Sequence, residues 1–197
     1  MSTGDLHTVL VVDDEPDVAD AYTAQLEQEY HVRTAYSGAE ALTALGPDVE
    51  VVLLDRRMPD VSGDDVLEEL RDRDLDCRVA MVTAVDPDFD IIEMAFDDYV
   101  IKPVSREDLF DTIERLLVCA EYEEKLQHYY SLTSKYATLL ANKSNTELEN
   151  SDEFHDLRDE RNHVRQDLED TVARFDDEAF ATVFRELHDN SRPVTEE

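Results

Sequence analysis

Tryptophan is absent from this 197-residue chain, and three other residue types are scarce: two cysteines, four glycines, and lysine only at positions 102, 125, 135 and 143. Cys77 and Cys119 lie far apart with no CxxC pairing. That excludes a zinc ribbon and a disulfide-stapled secreted domain, and it suits a reducing cytoplasm. No run approaches the roughly 20 apolar residues of a membrane span. Residues 1–7 lack the basic start and apolar stretch of a secretory signal and read as an N-terminal tail. Positive charge is the last deficit: 18 basic residues face 50 acidic ones, a net charge of -32. The basic patch of a nucleic-acid-binding domain does not stand out.

What is present is enough for a core, since 42% of the residues are hydrophobic. The acidity is distributed, with 30 acids in residues 1–118 and 20 in the remainder, so a local acidic tail is excluded. Fourteen arginines against four lysines within pervasive acidity resemble the proteins of salt-loving archaea. At ~1 M ionic strength the Debye length is about 3 Å, which screens such self-repulsion and also weakens the charge argument against DNA. An acidic protein of an ordinary cytoplasm is the alternative.

Short apolar runs at 8–13, 51–55, 79–83 and 99–101, with a more polar one at 31–35, read as strands. Helical patterns lie between them near 17–29, 38–45, 63–71, 88–96 and 105–117. Gly46-Pro47 stops the second helix, and Ser105 with Asp108 three residues on marks the start of the fifth. Strands alternating with helices imply an α/β fold, a parallel sheet covered on both faces. Functional groups then gather beyond the carboxyl ends of the strands.

Those ends carry the chemistry. Asp13-Asp14 closes the first strand, Asp55 the third and Thr83 the fourth, while Lys102 follows the fifth. Three carboxylates at close quarters repel one another unless a cation joins them, and oxygen ligands suit a hard divalent ion, Mg2+. Asp55 is then a carboxylate nucleophile, Lys102 a point charge for a phosphate, and Thr83 a hydroxyl donor. Blander readings stand beside these: Asp13-Asp14 as a helix cap, Thr83 as a strand-end hydroxyl, Tyr99 as a half-buried aromatic. Arg57, two residues past Asp55, either gates water at the site or lies in solvent.

Asp13-Asp14, the run from Asp55 to Gly63 (DRRMPDVSG), Thr83-Ala84 and Lys102-Pro103 together resemble, in order and spacing, the receiver domain of two-component response regulators. The resemblance covers residues 8–118. It implies a five-stranded, parallel, doubly wound (flavodoxin-like) domain that is a switch and not an enzyme. It implies that Asp55 is the phosphoacceptor and that Asp13, Asp14 and Asp55 hold Mg2+ with the backbone carbonyl of Arg57. By the same resemblance Thr83 and Lys102 bind the phosphoryl group, Tyr99 occupies the aromatic switch position, and the donor is a phosphohistidine on a sensor histidine kinase.

Past residue 118 the strand signal ends. Cys119, Tyr122, Leu126, Tyr129, Thr133, Tyr136 and Leu140 alternate spacings of three and four, like a heptad seam. Ser144-x-x-Glu147 reads as a capping box. A second helix is expected over roughly 152–175 and a third segment carries Phe180, Val183, Phe184 and Leu187, with 189–197 a disordered tail. Residues 119–188 resemble the HalX domain, an all-α module that follows receivers in salt-loving archaea. The seam is either the core of a helical hairpin or a coiled coil that joins two chains, a homodimer through 105–141; its tyrosines and its continuity with the receiver favour the dimer. The function expected is a response regulator whose helical module engages a downstream protein still to be identified. The second reading is a DNA-binding transcriptional regulator, although the 154–175 segment holds Arg158, Arg161, Arg165 and Arg174 among a larger number of acids.

Overall fold

The computed structural model describes residues 6–73 and 75–172. The chain divides into two compact units, Met1–Leu117 and Val118–Glu197.

In the first unit the strands are β1 (Thr8–Val12), β2 (His31–Ala35), β3 (Val51–Leu54), β4 (Arg78–Thr83) and β5 (Asp98–Ile101). They form one sheet in the order β2-β1-β3-β4-β5 with every pairing parallel. Because side chains alternate across a strand, each strand feeds two cores. Leu10, Val12, Val52, Leu54, Val79 and Met81 pack on one face. There they meet Ala41 of α2 (Gly38–Ala44) and Val66 and Leu70 of α3 (Gly63–Asp72). Val9, Val11, Val51, Leu53, Ala80 and Val82 pack on the other. That face is covered by Ala19, Tyr22 and Leu26 of α1 (Pro16–Leu26) and by Leu109, Ile113 and Leu116 of α4 (Arg106–Asn142). Burial on both faces is why these strands read as unbroken apolar runs.

Local chemistry sets the helix ends. Pro16 opens α1, where its missing N–H costs nothing. Ser62 and Asp65 close a reciprocal capping box at the start of α3, and Ser144 and Glu147 another at α5 (Asn145–Glu149). Ser105 and Asp108 exchange the same pair of bonds ahead of α4.

One expected element differs. The helix read over 88–96 is a single 3-10 turn, Phe89–Glu93, without a buried residue among its five. The Asp88 carboxylate takes the Phe89 amide, Asp90 pairs with the distant Arg56, and Ile91-Ile92 is β-branched, which lowers helix propensity. Phe89 is 85% exposed and Ile92 76%, so no packing face exists to override that local preference.

In the second unit, the later part of α4 pairs with α6 (Asp152–Val172), α5 lying between them in sequence. The Tyr136 ring stacks on Phe154 with centroids 5.1 Å apart, and the Arg161 guanidinium stands 4.0 Å from the Tyr136 centroid. Lys125 Nζ donates to Thr171 Oγ1 at 2.9 Å. Tyr122, Leu132, Phe154, Val164 and Leu168 are buried. The hairpin of the two alternatives is thus the packing seen within one chain, with Tyr122 of the seam buried, Cys119, Leu126, Tyr129, Thr133 and Tyr136 half-buried and Leu140 exposed. A strict heptad also drifts about 20° per repeat on a straight helix. In keeping with that drift, Leu140 at the far end is 49% exposed while Leu132, outside the seam as read, is 3% exposed. The expected third segment around Phe180–Leu187, the 189–197 tail and most of the 1–7 tail lie outside the described residues.

Among the described residues no helix is long and apolar enough to cross a membrane.

Candidate functional site

The parallel register brings the carboxyl ends of β1, β3 and β4 level, with Val12 beside Leu54 and Leu54 beside Met81. The residues that follow thus converge. The Asp13 amide donates to Ala35 O and the Asp55 amide to Val12 O, so the sheet ladder itself fixes both acids. Asp13 is 1% exposed and Asp55 7%. With the partly buried Asp14 they place carboxylate oxygens within 4.8 Å of one another.

Buried carboxylates need positive charge nearby, and Lys102 provides it. Its Nζ donates to Asp13 Oδ2 at 2.6 Å and to Asp55 Oδ2 at 2.8 Å. Burial pulls the ammonium's pKa down, but the hydrogen bonds to Asp13 and Asp55 outweigh it, so the pKa stands above its ordinary value. Lys102 reaches the site because its own amide bonds Thr83 O at 2.8 Å, at the end of the β4–β5 pairing. The Lys102–Pro103 peptide that follows is cis.

Thr83 is 1% exposed. Its Oγ1 accepts from the Val85 amide at 3.3 Å, and the Tyr99 hydroxyl donates to Val85 O at 2.8 Å. Thr83 and Tyr99 are thus tied to one residue. Tyr99 also packs on Phe96, ring centroids 5.5 Å apart.

The loop from β3 to α3 is shaped by two close approaches. A Cβ on Gly63 would come within 2.2 Å of Asp55 O, and one on Gly38 within 2.4 Å of Val61 O. Glycine is required at both for steric reasons. Arg57 presents its backbone: the amide donates to Asp55 Oδ1 at 3.3 Å, and the side chain is exposed. Of the two readings of Arg57, solvent is the one the geometry favours.

Arg56 was not among the expected site residues. Its guanidinium, 12% exposed, donates to Asp64 at 3.0 Å and also pairs with Asp90. Its place next to Asp55 was a signal in the sequence, whereas no spacing rule links it to Asp90. Tyr22 was missed as well. Its hydroxyl pKa is raised, first by burial, and it feels the charges of Lys102, Asp13 and Asp55.

The response regulator receiver domain family matches residues 9–114 and the HalX domain residues 118–184. The chain belongs to the response regulator receiver family, followed by a HalX domain. It is 50% identical over 165 residues to a putative transcriptional regulator of Haloferax volcanii, a match spanning 83% of this chain and 28% of that protein. It is 38% identical over 113 residues to the response regulator SaeR of Staphylococcus aureus, 55% of this chain and 50% of SaeR. The chain therefore spans at most about half the length of these curated relatives.

Among solved structures, a receiver domain protein of Methanospirillum hungatei superposes with a TM-score of 0.56 at 27% identity, over 60% of this chain and 99% of that one. The response regulator TrrA of Thermotoga maritima, solved in complex with Mg(2+)-BeF, gives a TM-score of 0.50 at 31% identity, over 56% and 99%. Receiver domains bind Mg2+ at an acidic pocket, and Asp13, Asp14 and Asp55 form such a cluster here.

Proposed function

We propose that the chain is a phosphorylation switch in which Asp55 accepts a phosphoryl group from a phosphohistidine of a sensor histidine kinase. The observation that carries this is the Asp13–Lys102–Asp55 bridge beside Asp14, a nucleophilic carboxylate held in a nest of paired charge. One Asp55 carboxylate oxygen bonds to phosphorus while the phosphorus–nitrogen bond to the imidazole breaks, and the leaving ring nitrogen is protonated. The all-oxygen donor set of Asp13, Asp14 and Asp55, completed by the Arg57 backbone carbonyl, fits a hard divalent cation, Mg2+. Such an ion supplies positive charge that offsets the acids and the incoming phosphoryl oxygens. Lys102 follows the phosphoryl oxygen from its present carboxylate contact, and Thr83 turns its hydroxyl from Val85 toward the same group. Tyr99 moves with it through the shared Val85. A group that binds two arrangements differently shifts their populations.

The chain works in the cytoplasm as a switch and not as a turnover enzyme, and its helical module passes the phosphorylated state to a downstream protein. A DNA-binding role is the second reading, favoured by the name of the Haloferax relative. Against it, Arg158 and Arg165 on α6 pair with Asp159 and Glu169, and Arg161 lies over Tyr136, so these cations are engaged within the chain.

The test is incubation with acetyl phosphate and Mg2+, followed by trapping of the acyl phosphate and mass spectrometry. Label on Asp55, lost in Asp55→Asn, is the expected result; undiminished labelling of that variant overturns the assignment.

A further inference from the structure

The 3-10 turn Phe89–Glu93 buries none of its own side chains, so polar contacts must hold it. One is local, the Asp88 carboxylate accepting the Phe89 amide at 2.7 Å. Another comes from the phosphoacceptor loop. Arg56, covalently next to Asp55, donates through Nε and a terminal nitrogen to Asp64 at 3.0 and 3.2 Å, and it pairs with Asp90 inside the turn. Asp64 lies in the first turn of α3, whose capping box fixes its backbone. Arg56 is thus anchored on one side by a regular helix and holds the exposed turn on the other. Its side chain is 12% exposed, while Asp90 is 54% exposed. Its pKa stands above the ordinary arginine range, first through Asp64, then Asp90, with Tyr99 contributing.

The same segment is attached at its near end to the switch pair, since Val85 bonds both Thr83 and Tyr99. Only four residues separate Val85 from Asp90. A shift of Thr83 and Tyr99 must therefore either carry Asp90 along or stretch the pair that Arg56 makes with it.

We infer that Arg56 is a positioning residue, a guanidinium clamp joining the phosphoacceptor loop to the Phe89–Glu93 turn that favours the arrangement in which Lys102 lies directly on the Asp55 carboxylate. A phosphoryl group on Asp55 Oδ2 cannot share that oxygen with Lys102 at 2.8 Å. The clamp therefore opposes the phosphorylated arrangement, and weakening it raises the fraction of molecules ready to bind a phosphoryl group. This inference rests on the phosphoacceptor reading of Asp55 for its functional consequence; the clamp itself does not.

The experiment uses the full chain, unmodified and as Arg56→Gln, Asp90→Asn and Asp90→Glu. Amide hydrogen exchange over 86–93, with nothing added, reads the clamp alone. Arg56→Gln and Asp90→Asn should speed exchange there, and Asp90→Glu should restore it. Beryllofluoride with Mg2+, titrated by amide NMR, reads the switch. Relief of a partly exposed ion pair should tighten apparent binding about two- to fivefold in the first two variants. A merely structural role for Arg56 would weaken binding instead. Asp90→Asn leaves the Arg56–Asp64 contact intact, so the test survives a poorly folding Arg56 variant. Unchanged exchange and unchanged or weaker affinity in Asp90→Asn overturn the clamp. An unmodified chain that binds no beryllofluoride overturns the phosphoacceptor reading, with exchange over 86–93 still deciding whether the clamp exists.

Discussion

Lys102 and Asp55, 47 positions apart in the chain, meet at 2.8 Å between Nζ and Oδ2. The same ammonium meets Asp13 across 89 positions. One cation thus holds two nearly buried carboxylates that directly follow different strands.

Removing that cation leaves two buried acids facing one another. Lys102→Met should destabilise the receiver by about 3–5 kcal/mol in chelator, since breaking a buried pair strands the remaining charge. Mg2+ should recover part of the loss and so raise the variant's melting temperature more than that of the unmodified chain. Thermal melts with EDTA or excess Mg2+ provide the check, and equal shifts for both proteins would contradict it.

Gly63 faces the Asp55 carbonyl so closely that any Cβ collides with backbone. Gly63→Ala should cost about 1–3 kcal/mol, the range for forcing atoms into filled space. It should also slow acyl phosphate formation by displacing Asp55. Denaturant melts and a phosphorylation time course measure the two effects; normal values for both would mean the loop yields freely.

The second unit offers a contrast between two positions of similar chemistry. Phe154, 8% exposed and stacked on Tyr136, should cost about 3–5 kcal/mol when changed to Ala. Leu140→Ala, at 49% exposure, should stay within about 0.5 kcal/mol. Light scattering in multimolar KCl should return a mass near 22.6 kDa, since α6 packs on the side of α4 that holds Tyr136 within the chain. A doubled mass that falls in Leu126→Ala would show instead that the seam serves two chains.

Acid should loosen the start of α5. The Glu147 pKa is lowered from 4.5 to about 2, first by the Ser144 amide, then by the Ser144 hydroxyl and Lys143. A carboxylate with a depressed folded pKa adds stability that is complete above 4.5 and lost as pH falls toward about 2. Amide exchange over 145–149, followed through that window, should accelerate in the unmodified chain and change little in Glu147→Gln. Matching profiles would show that the box contributes nothing.

Much of this was legible before any coordinates. Apolar runs buried on both faces gave away the parallel sheet, and Asp13, Asp14, Asp55, Thr83 and Lys102 each sit at a strand end, where a parallel sheet must collect them. The serine–acid spacings at 105–108 and 144–147 mark helix starts because the reciprocal bonds span only three residues; the same spacing at 62–65 is one more such signal, recognised from the structure.

The 88–96 pattern misled because periodicity records which residues could face a core, not whether a core is there; Phe89 and Ile92 have none beneath them. The seam left a choice open for a related reason. A stripe of tyrosines and leucines specifies that something must cover it, while the choice between α6 and a second chain depends on where the hairpin returns.

The sequence by itself determined the five strands, the helices other than the one read over 88–96, the acid cluster and the basic residue that answers it, because those depend on period, local capping and the compulsory convergence of parallel strand ends. Only the tertiary structure decided that Lys102 bridges Asp13 and Asp55, that Arg56 reaches Asp90, and that Tyr136 stacks on Phe154. Each of these contacts joins residues at least 18 positions apart, and their geometry is set by how whole elements pack, which no local spacing encodes.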